Sequence, residues 1–302
     1  DNATLGNLTA DATVELFGSV RLADGATLMG AQGGVGVGLA EGPGATLSLG
    51  SDATIDGVRG PVILLGNDGV TLASGASITS VSGGLTVEFG SGASTTLASG
   101  ARIGEIRATS GQVLFDGDLT LGANASLGDI TAGSGSIGAG VSFNGAVTLA
   151  SGASLASGNT IEAGSGGVTF ANTLTMASGS EIGAIAADGL ISFAAIDASG
   201  TASLGNIESR QSGITQTGDL FLGSGGTIGN LTAAGELLLS DEAGGDVRTG
   251  SGATIGNLSA GALVEVSGSL LLGNFSQLGS ISAPVVSLGG GEGSILELGN
   301  EA

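Results

Sequence analysis

The side chains of this chain that could do chemistry are carboxylates and hydroxyls. The 302 residues include 27 Asp and Glu and six Arg, and they lack Lys as well as Cys, His, Trp and Tyr. Without thiol, imidazole or amine groups, cysteine and histidine nucleophiles, lysine Schiff bases and zinc sites are excluded. What remains is the chemistry of paired acids and of oxygen ligands.

Two clusters of acids have the composition of a cation site. The first is Asp116 with Asp118, and the second is Asp241, Glu242 and Asp246. Calcium, a hard cation that suits carboxylate and carbonyl oxygens, is the ion they would take, and we expect no other cofactor. The alternative, which we favour, is solvated acidic loops, because the Gly-Gly-x-Gly-x-Asp nonapeptide of calcium-loaded β-rolls is absent.

Charge and hydropathy limit the partners of the chain. A formal net charge of −21 repels nucleic acid and anionic membrane surfaces, so we expect neither as a partner. No run of 18 or more apolar residues occurs, so no transmembrane helix is expected. The chain begins with Asp1 rather than Met, which favours the removal of a leader over an artificial start.

A repeat organises the whole sequence. The repeated pattern is Ala/Ser, Thr/Ser, Ile/Leu, Gly, Asn/Asp, Ile/Leu. Copies of it, some of them weaker, begin about 25 residues apart at residues 3, 26, 53, 76, 101, 125, 153, 180, 202, 226, 253 and 276. We call each repeat a rung and number the rungs 1–12 from these positions. The third residue is aliphatic in all twelve: Leu5, Leu28, Ile55, Ile78, Ile103, Leu127, Leu155, Ile182, Leu204, Ile228, Ile255 and Leu278.

Each rung holds two further strand-like segments. The middle segment has the form aliphatic-x-Phe in five successive rungs, and the last has the form Leu/Val-x-Leu/Met before a Gly/Ser turn. Three short strands per rung, with no helical periodicity, predict an all-β parallel β-solenoid of about twelve rungs that forms one domain over residues 1–302. At a rung spacing of about 4.8 Å, the rod would be roughly 58 Å long.

Stacked rungs place equivalent residues in columns. The middle strands predict a buried stack of Phe89, Phe115, Phe143, Phe170 and Phe193. The outward position of the last strand predicts a threonine ladder of Thr71, Thr96, Thr120, Thr148 and Thr175. A flat hydroxyl face is the kind that ice-binding solenoids use, but one column lacks two-dimensional order, so we favour packing of β-branched residues.

Two apolar residues continue the ladder column beyond the threonines. Phe221 and Leu271 would then lie on the surface, where they are candidates for a lateral contact between rods, although isolated exposed apolar residues are common. Six Asn-x-Ser/Thr triplets permit glycosylation. We favour corner asparagines that stack on one another, as Asn206, Asn230 and Asn257 would.

The segments Val141 to Leu155 (VSFNGAVTLASGASL) and Gly167 to Gly183 (GVTFANTLTMASGSEIG) resemble the β-strand repeats of large secreted bacterial surface proteins. That group includes filamentous-haemagglutinin-like adhesins and autotransporter passengers. The resemblance covers nearly the whole chain and implies a secreted, extracellular, non-enzymatic rod at the cell surface.

Rung-like sequence reaches from Ala3 to Leu298, and we expect the two open ends of the rod to match each other. The first hypothesis is therefore a structural protein that joins head to tail into a filament or matrix, with itself as partner. The second is an adhesin rod with a face that binds host molecules or a surface polysaccharide. The third is a β-helical enzyme that acts on carbohydrate through paired acids, which the missing Trp, Tyr and Lys disfavour.

Overall fold

The structure is a computed structural model, and it describes residues 3–90, 93–133, 139–240, 245–288 and 296–298. These residues form a parallel β-solenoid of about twelve turns with a period of about 24 residues and no helix. All the strands belong to a single sheet in which each rung pairs with the rungs before and after it. The predicted fold class is thereby confirmed.

The strands are short and follow the predicted rung pattern. In chain order they are β1 Thr4–Leu5, β2 Leu8–Ala10, β3 Thr13–Phe17, β4 Val20–Leu22, β5 Thr27–Leu28, β6 Ala31–Gly33, β7 Gly36–Glu41, β8 Leu47–Leu49, β9 Thr54–Ile55, β10 Val58–Leu65, β11 Val70–Leu72, β12 Ser77–Phe89, β13 Thr95–Leu97, β14 Arg102–Ala108, β15 Gln112–Phe115, β16 Leu119–Leu121, β17 Ser126–Leu127, β18 Ile130–Ala132, β19 Gly140–Phe143 and β20 Val147–Leu149. The later rungs contain β21 Ser154–Ala163, β22 Gly167–Met176, β23 Glu181–Ala187, β24 Ile191–Ala198, β25 Ser203–Leu204, β26 Ile207–Ser209, β27 Ile214–Gln216, β28 Leu220–Leu222, β29 Thr227–Ile228, β30 Leu231–Ala233, β31 Glu236–Leu239, β32 Asp246–Thr249, β33 Thr254–Ile255, β34 Leu258–Ala260, β35 Leu263–Val266, β36 Ser269–Leu272, β37 Gln277–Leu278, β38 Ile281–Ser282, β39 Val285–Leu288 and β40 Leu296–Leu298.

The rungs build three walls around an apolar core. We name them the first, second and third walls after the three predicted segments of a rung. The aliphatic column of the first wall pairs in register through all twelve rungs, from Leu5 opposite Leu28 to Ile255 opposite Leu278. Its members between those ends are buried.

The phenylalanine stack of the second wall forms as predicted. Successive ring centroids from Phe89 to Phe193 lie 4.7, 5.1, 4.6 and 4.9 Å apart, and neighbouring rings are within 16° of parallel. This spacing matches the distance between paired strands, so each ring packs on the ring below without disturbing the backbone.

A buried glutamine follows the stack in rung 9. Gln216 pairs with Phe193 and is 1% exposed. Its Nε2 donates to the carbonyl of Gly218 at 2.6 Å, and its Oε1 accepts from the backbone N–H of Ser240 at 3.0 Å. The amide is therefore satisfied inside the core, as burial of a polar group requires.

The first wall differs from the prediction in its number of strands. Eight of the twelve rungs divide it into two segments, such as β29 and β30, and in rungs 1, 9, 10 and 11 the break falls at a Gly-Asn step. There Oδ1 of Asn206 accepts from the N–H of Asn230 at 2.8 Å, and Oδ1 of Asn230 accepts from the N–H of Asn257 at 2.9 Å. A side-chain acceptor thus takes the place of a ladder carbonyl, and the predicted asparagine stack is confirmed.

Glycine closes the corner between the third wall and the next rung. Gly75 has φ +72°, a left-handed conformation that most residues avoid, and the turn bonds Ala76 N–H to the carbonyl of Ala73 at 3.0 Å. At equivalent corners Asp52 and Asn124 take φ of +58° and +56°, which their short polar side chains tolerate.

Candidate functional site

The acids of the first cluster lie in rung 5 and bond to rung 6. Oδ1 of Asp116 accepts from Nδ2 of Asn144 at 2.8 Å, and Oδ1 of Asp118 accepts from the backbone N–H of Ala146 at 2.8 Å. Both carboxylates therefore link neighbouring rungs. Among the described residues, no group of three or more acids is placed to hold a metal ion.

In the second cluster only Asp246 falls within the described residues, whereas Asp241 and Glu242 lie outside them. Oδ1 of Asp246 accepts from the N–H of Ser269 at 3.1 Å, and Oδ2 accepts from the guanidinium of Arg248. The hydrogen bond from Arg248 holds the pKa of Asp246 below its usual range, and the bonds from Ser269 act in the same direction. Calcium binding by these clusters stays a prediction.

The threonine ladder is confirmed as one column of the third wall. Its five members pair in register, and the column continues upstream through Ser48 to Arg21. Downstream it runs through Asp197, Phe221, Arg248, Leu271 and Glu297. The outward side chain of this wall is therefore known for every rung.

Asp197 belongs to this column, although the repeat pattern does not reveal it. The last strand of rung 8 reads Ile-Asp-Ala and does not match the Leu-x-Leu form. Its place becomes visible only through the pairing of β24 with β22 and β28. Asp197 thereby separates Thr175 from Phe221.

Around Phe221 the third wall forms an open groove of about 490 Å³. The groove lies across rungs 7–10, and its polar lining includes Thr173, Asp197, Asp219 and Arg248. Phe221 is 41% exposed, whereas Leu271 is half-buried. Because Arg248 lies between them in the column, the two residues predicted to make a lateral contact do not form one continuous apolar patch.

The two ends of the described solenoid expose core columns. In rung 1, Leu5 is 57% exposed, although its column neighbour Leu28 is buried. In rung 12, Val286 is 45% exposed, although its neighbour Val264 is buried. Among the described residues, no further rung covers these side chains on the outer side.

Opposite charges occupy one column at the two ends. Arg21 of rung 1 and Glu297 of rung 12 are the outward residues of the third wall in their rungs, and both are exposed. Within the described part of the chain, Arg21 forms no ion pair, since the three pairs found there involve Arg210 and Arg248.

Another cross-rung contact had no signal in the sequence. Nη1 of Arg210 lies 3.2 Å from Oε1 of Glu162 and 3.6 Å from Oδ1 of Asp188, so it joins three successive rungs. All three side chains are partly exposed, so the pairs contribute little to stability. Their separation of up to 48 residues is why only the rung register shows the contact.

The fold is that of a β-helical repeat protein. Comparison of the chain with protein-family models, with curated proteins and with solved structures finds no match. Within the described ranges, no helix has the length and apolar character needed to cross a bilayer.

Proposed function

We propose that this chain is a non-enzymatic, extracellular structural rod whose end rungs stack on those of further copies to form a filament. The observation that carries the proposal is the exposure of core-column side chains in the first and last described rungs, Leu5 in rung 1 and Val286 in rung 12. Such a surface is costly in water and is covered when another rung pairs with it.

The two end surfaces match each other column by column. If rung 12 of one copy lies against rung 1 of the next, Leu278 continues to Leu5, Ile281 to Leu8 and Val286 to Val14, because these residues occupy the same columns in their rungs. Every in-facing column named here then remains aliphatic. The contact is heterologous and does not close, so it propagates along the rod axis.

The third wall supplies a polar pair at the same junction. The stacking that aligns the core columns also brings Glu297 of one copy beside Arg21 of the next, at about the 4.8 Å spacing of paired strands. Complementary charge fixes register and orientation more than it adds affinity. This pair would therefore favour head-to-tail stacking, which places opposite charges next to each other in one column.

The remaining parts of the proposal rest on composition, on cross-rung bonding and on the resemblance. The paired carboxylates Asp116 and Asp118 are engaged in bonds between rungs, which favours a structural use over acid–base catalysis. The proposed extracellular location rests on the resemblance of the rungs to repeats of secreted bacterial surface proteins.

Sedimentation velocity on charge variants tests the proposal. We expect the native chain to form species larger than 28.3 kDa that grow with protein concentration. Arg21→Glu and Glu297→Arg should each weaken assembly about tenfold through like-charge repulsion at the junction, and the double variant should restore it.

The matched control is Arg102→Glu, an exposed arginine of rung 5 on the first wall. This variant changes the net charge as Arg21→Glu does but lies away from the junction, so assembly should be unaffected. Equal losses in the two variants would assign the effect to net charge. A native chain that stays at 28.3 kDa at every concentration overturns the proposal.

A further inference from the structure

The groove around Phe221 has a composition found nowhere else on the third wall. In rungs 3–7 the outward residue of that wall is threonine, whereas rungs 8–10 present Asp197, Phe221 and Arg248 in succession. A carboxylate, an exposed phenyl ring and a guanidinium therefore follow one another along the rod axis over about 10 Å. The site is lateral, so it is independent of end-to-end stacking.

The polar groups of the groove have unused hydrogen-bonding capacity. Within the described residues, no hydrogen bond or ion pair engages the exposed carboxylate of Asp197. Asp219 uses Oδ1 to accept from the N–H of Asp246 at 2.9 Å, and no described residue donates a hydrogen bond to its other oxygen. The groove thus offers acceptors at Asp197 and Asp219.

Arg248 supplies the donors of the groove in a fixed position. Its Nε and Nη2 both donate to Oδ2 of Asp246, which orients the guanidinium plane. The side chain is 58% exposed, and the N–H groups of Nη1 are not used by this pair. A ligand in the groove can therefore accept a hydrogen bond from Arg248 while it donates to the aspartates.

These requirements select among ligand classes. An anion is repelled by Asp197 and Asp219, whose charges the Asp246–Arg248 pair does not neutralise. A metal cation is attracted by those carboxylates, but it offers no acceptor to Arg248 and no apolar face to Phe221. A neutral polyhydroxyl compound meets every group at once, because each hydroxyl both donates and accepts while the C–H face of a sugar ring packs on Phe221.

We propose that the groove formed by Asp197, Asp219, Phe221 and Arg248 binds a neutral saccharide chain that lies along the rod axis. Phe221 provides the apolar platform, the two aspartates accept from hydroxyls and Arg248 donates to one. Binding at this groove gives the rod a contact with polysaccharide on its side, separate from its end surfaces.

NMR titration of the full chain with neutral hexasaccharides tests the site. The probes are cellohexaose, laminarihexaose and maltohexaose. The readout is the Nε–H resonance of Arg248, which is easy to resolve because the chain has only six arginines. We expect at least one probe to shift this resonance, with an affinity that added salt leaves unchanged because the ligand carries no charge.

Two variants separate the groove from the rest of the wall. Phe221→Thr restores the residue typical of the ladder and should weaken binding about tenfold by removing the platform. Thr96→Ala, in the same column five rungs away, is the control and should bind as the native chain does. Both variants also carry the Arg21→Glu substitution, so that assembly of the rods does not affect the titration.

Three outcomes would overturn the proposal. One is that none of the three sugars shifts the Arg248 resonance at millimolar concentration. Another is that Phe221→Thr binds as tightly as the native chain. The third is that tetramethylammonium shifts the resonance in a salt-sensitive way while the sugars do not, which would make the groove a cation site.

Discussion

The same columns of apolar side chains are buried in the middle of the rod and more exposed at its ends. Phe143, in rung 6, is 1% exposed between two other phenylalanines, whereas Leu16, at the same position in rung 1, is only half-buried. The difference arises from the number of neighbouring rungs and not from the type of residue, since both side chains are large and apolar. In a solenoid each rung contacts only its neighbours, so the first and last rungs that the structure describes have a neighbour on one side only.

The largest loss of stability is expected when the ring of Phe143, at the centre of the stack, is truncated. Phe143→Ala should destabilise the chain by about 3–5 kcal/mol, because the cavity opens between two rings that cannot collapse into it. Leu16→Ala, in the same column, should cost about 1 kcal/mol, because the side chain is already partly in water. Urea unfolding followed by circular dichroism measures both, and equal losses would contradict the comparison.

A smaller effect is expected where the aromatic stack ends. Gln216→Leu should destabilise by about 1–3 kcal/mol although it makes the column more apolar, because the carbonyl of Gly218 and the N–H of Ser240 lose their partner. Thr215→Val changes the outward residue beside it and should stay within about 0.5 kcal/mol. A Gln216→Leu variant that is more stable than the native chain would show that the amide has no structural role.

The sequence predicts the columns well because each is a local pattern repeated at a fixed spacing. The aliphatic position of the first wall, the phenylalanine stack, the threonine ladder and the stack of Asn206, Asn230 and Asn257 all follow from it. What it misses are single departures from the pattern. Asp197 is hidden by a strand of unusual form, and the groove around Phe221 needs three rungs in exact register before its groups come together.

The asparagine stack should have a weaker effect than the core. Asn230→Ala removes the acceptor of the Asn257 N–H and should cost about 1 kcal/mol. Asn230→Asp keeps an acceptor at that position and should cost less. The same urea unfolding measurement compares the two, and an alanine variant as stable as the aspartate variant would rule out the side-chain bond as the reason for the stack.

The smallest effect concerns the ion pair beside the groove. Arg248→Gln should raise the pKa of Asp246 towards its usual range, because the guanidinium that stabilises the carboxylate is gone. Since the pKa of Asp246 is depressed in the folded protein, its ionised form contributes stability above the unfolded pKa, and that contribution is lost as pH falls through the folded value. Carbon-detected NMR of the Asp246 carboxyl group measures its pKa in the native chain and in the variant. An unchanged pKa in the variant would exclude Arg248 as the cause of the depressed pKa.

Electron cryo-microscopy of the purified chain tests most directly whether the exposed end rungs stack. End-to-end stacking predicts unbranched fibres with strands perpendicular to the axis and an axial repeat of about 58 Å, which is twelve rungs at about 4.8 Å each. Isolated rods of that length, or rods paired side by side without axial growth, would contradict it.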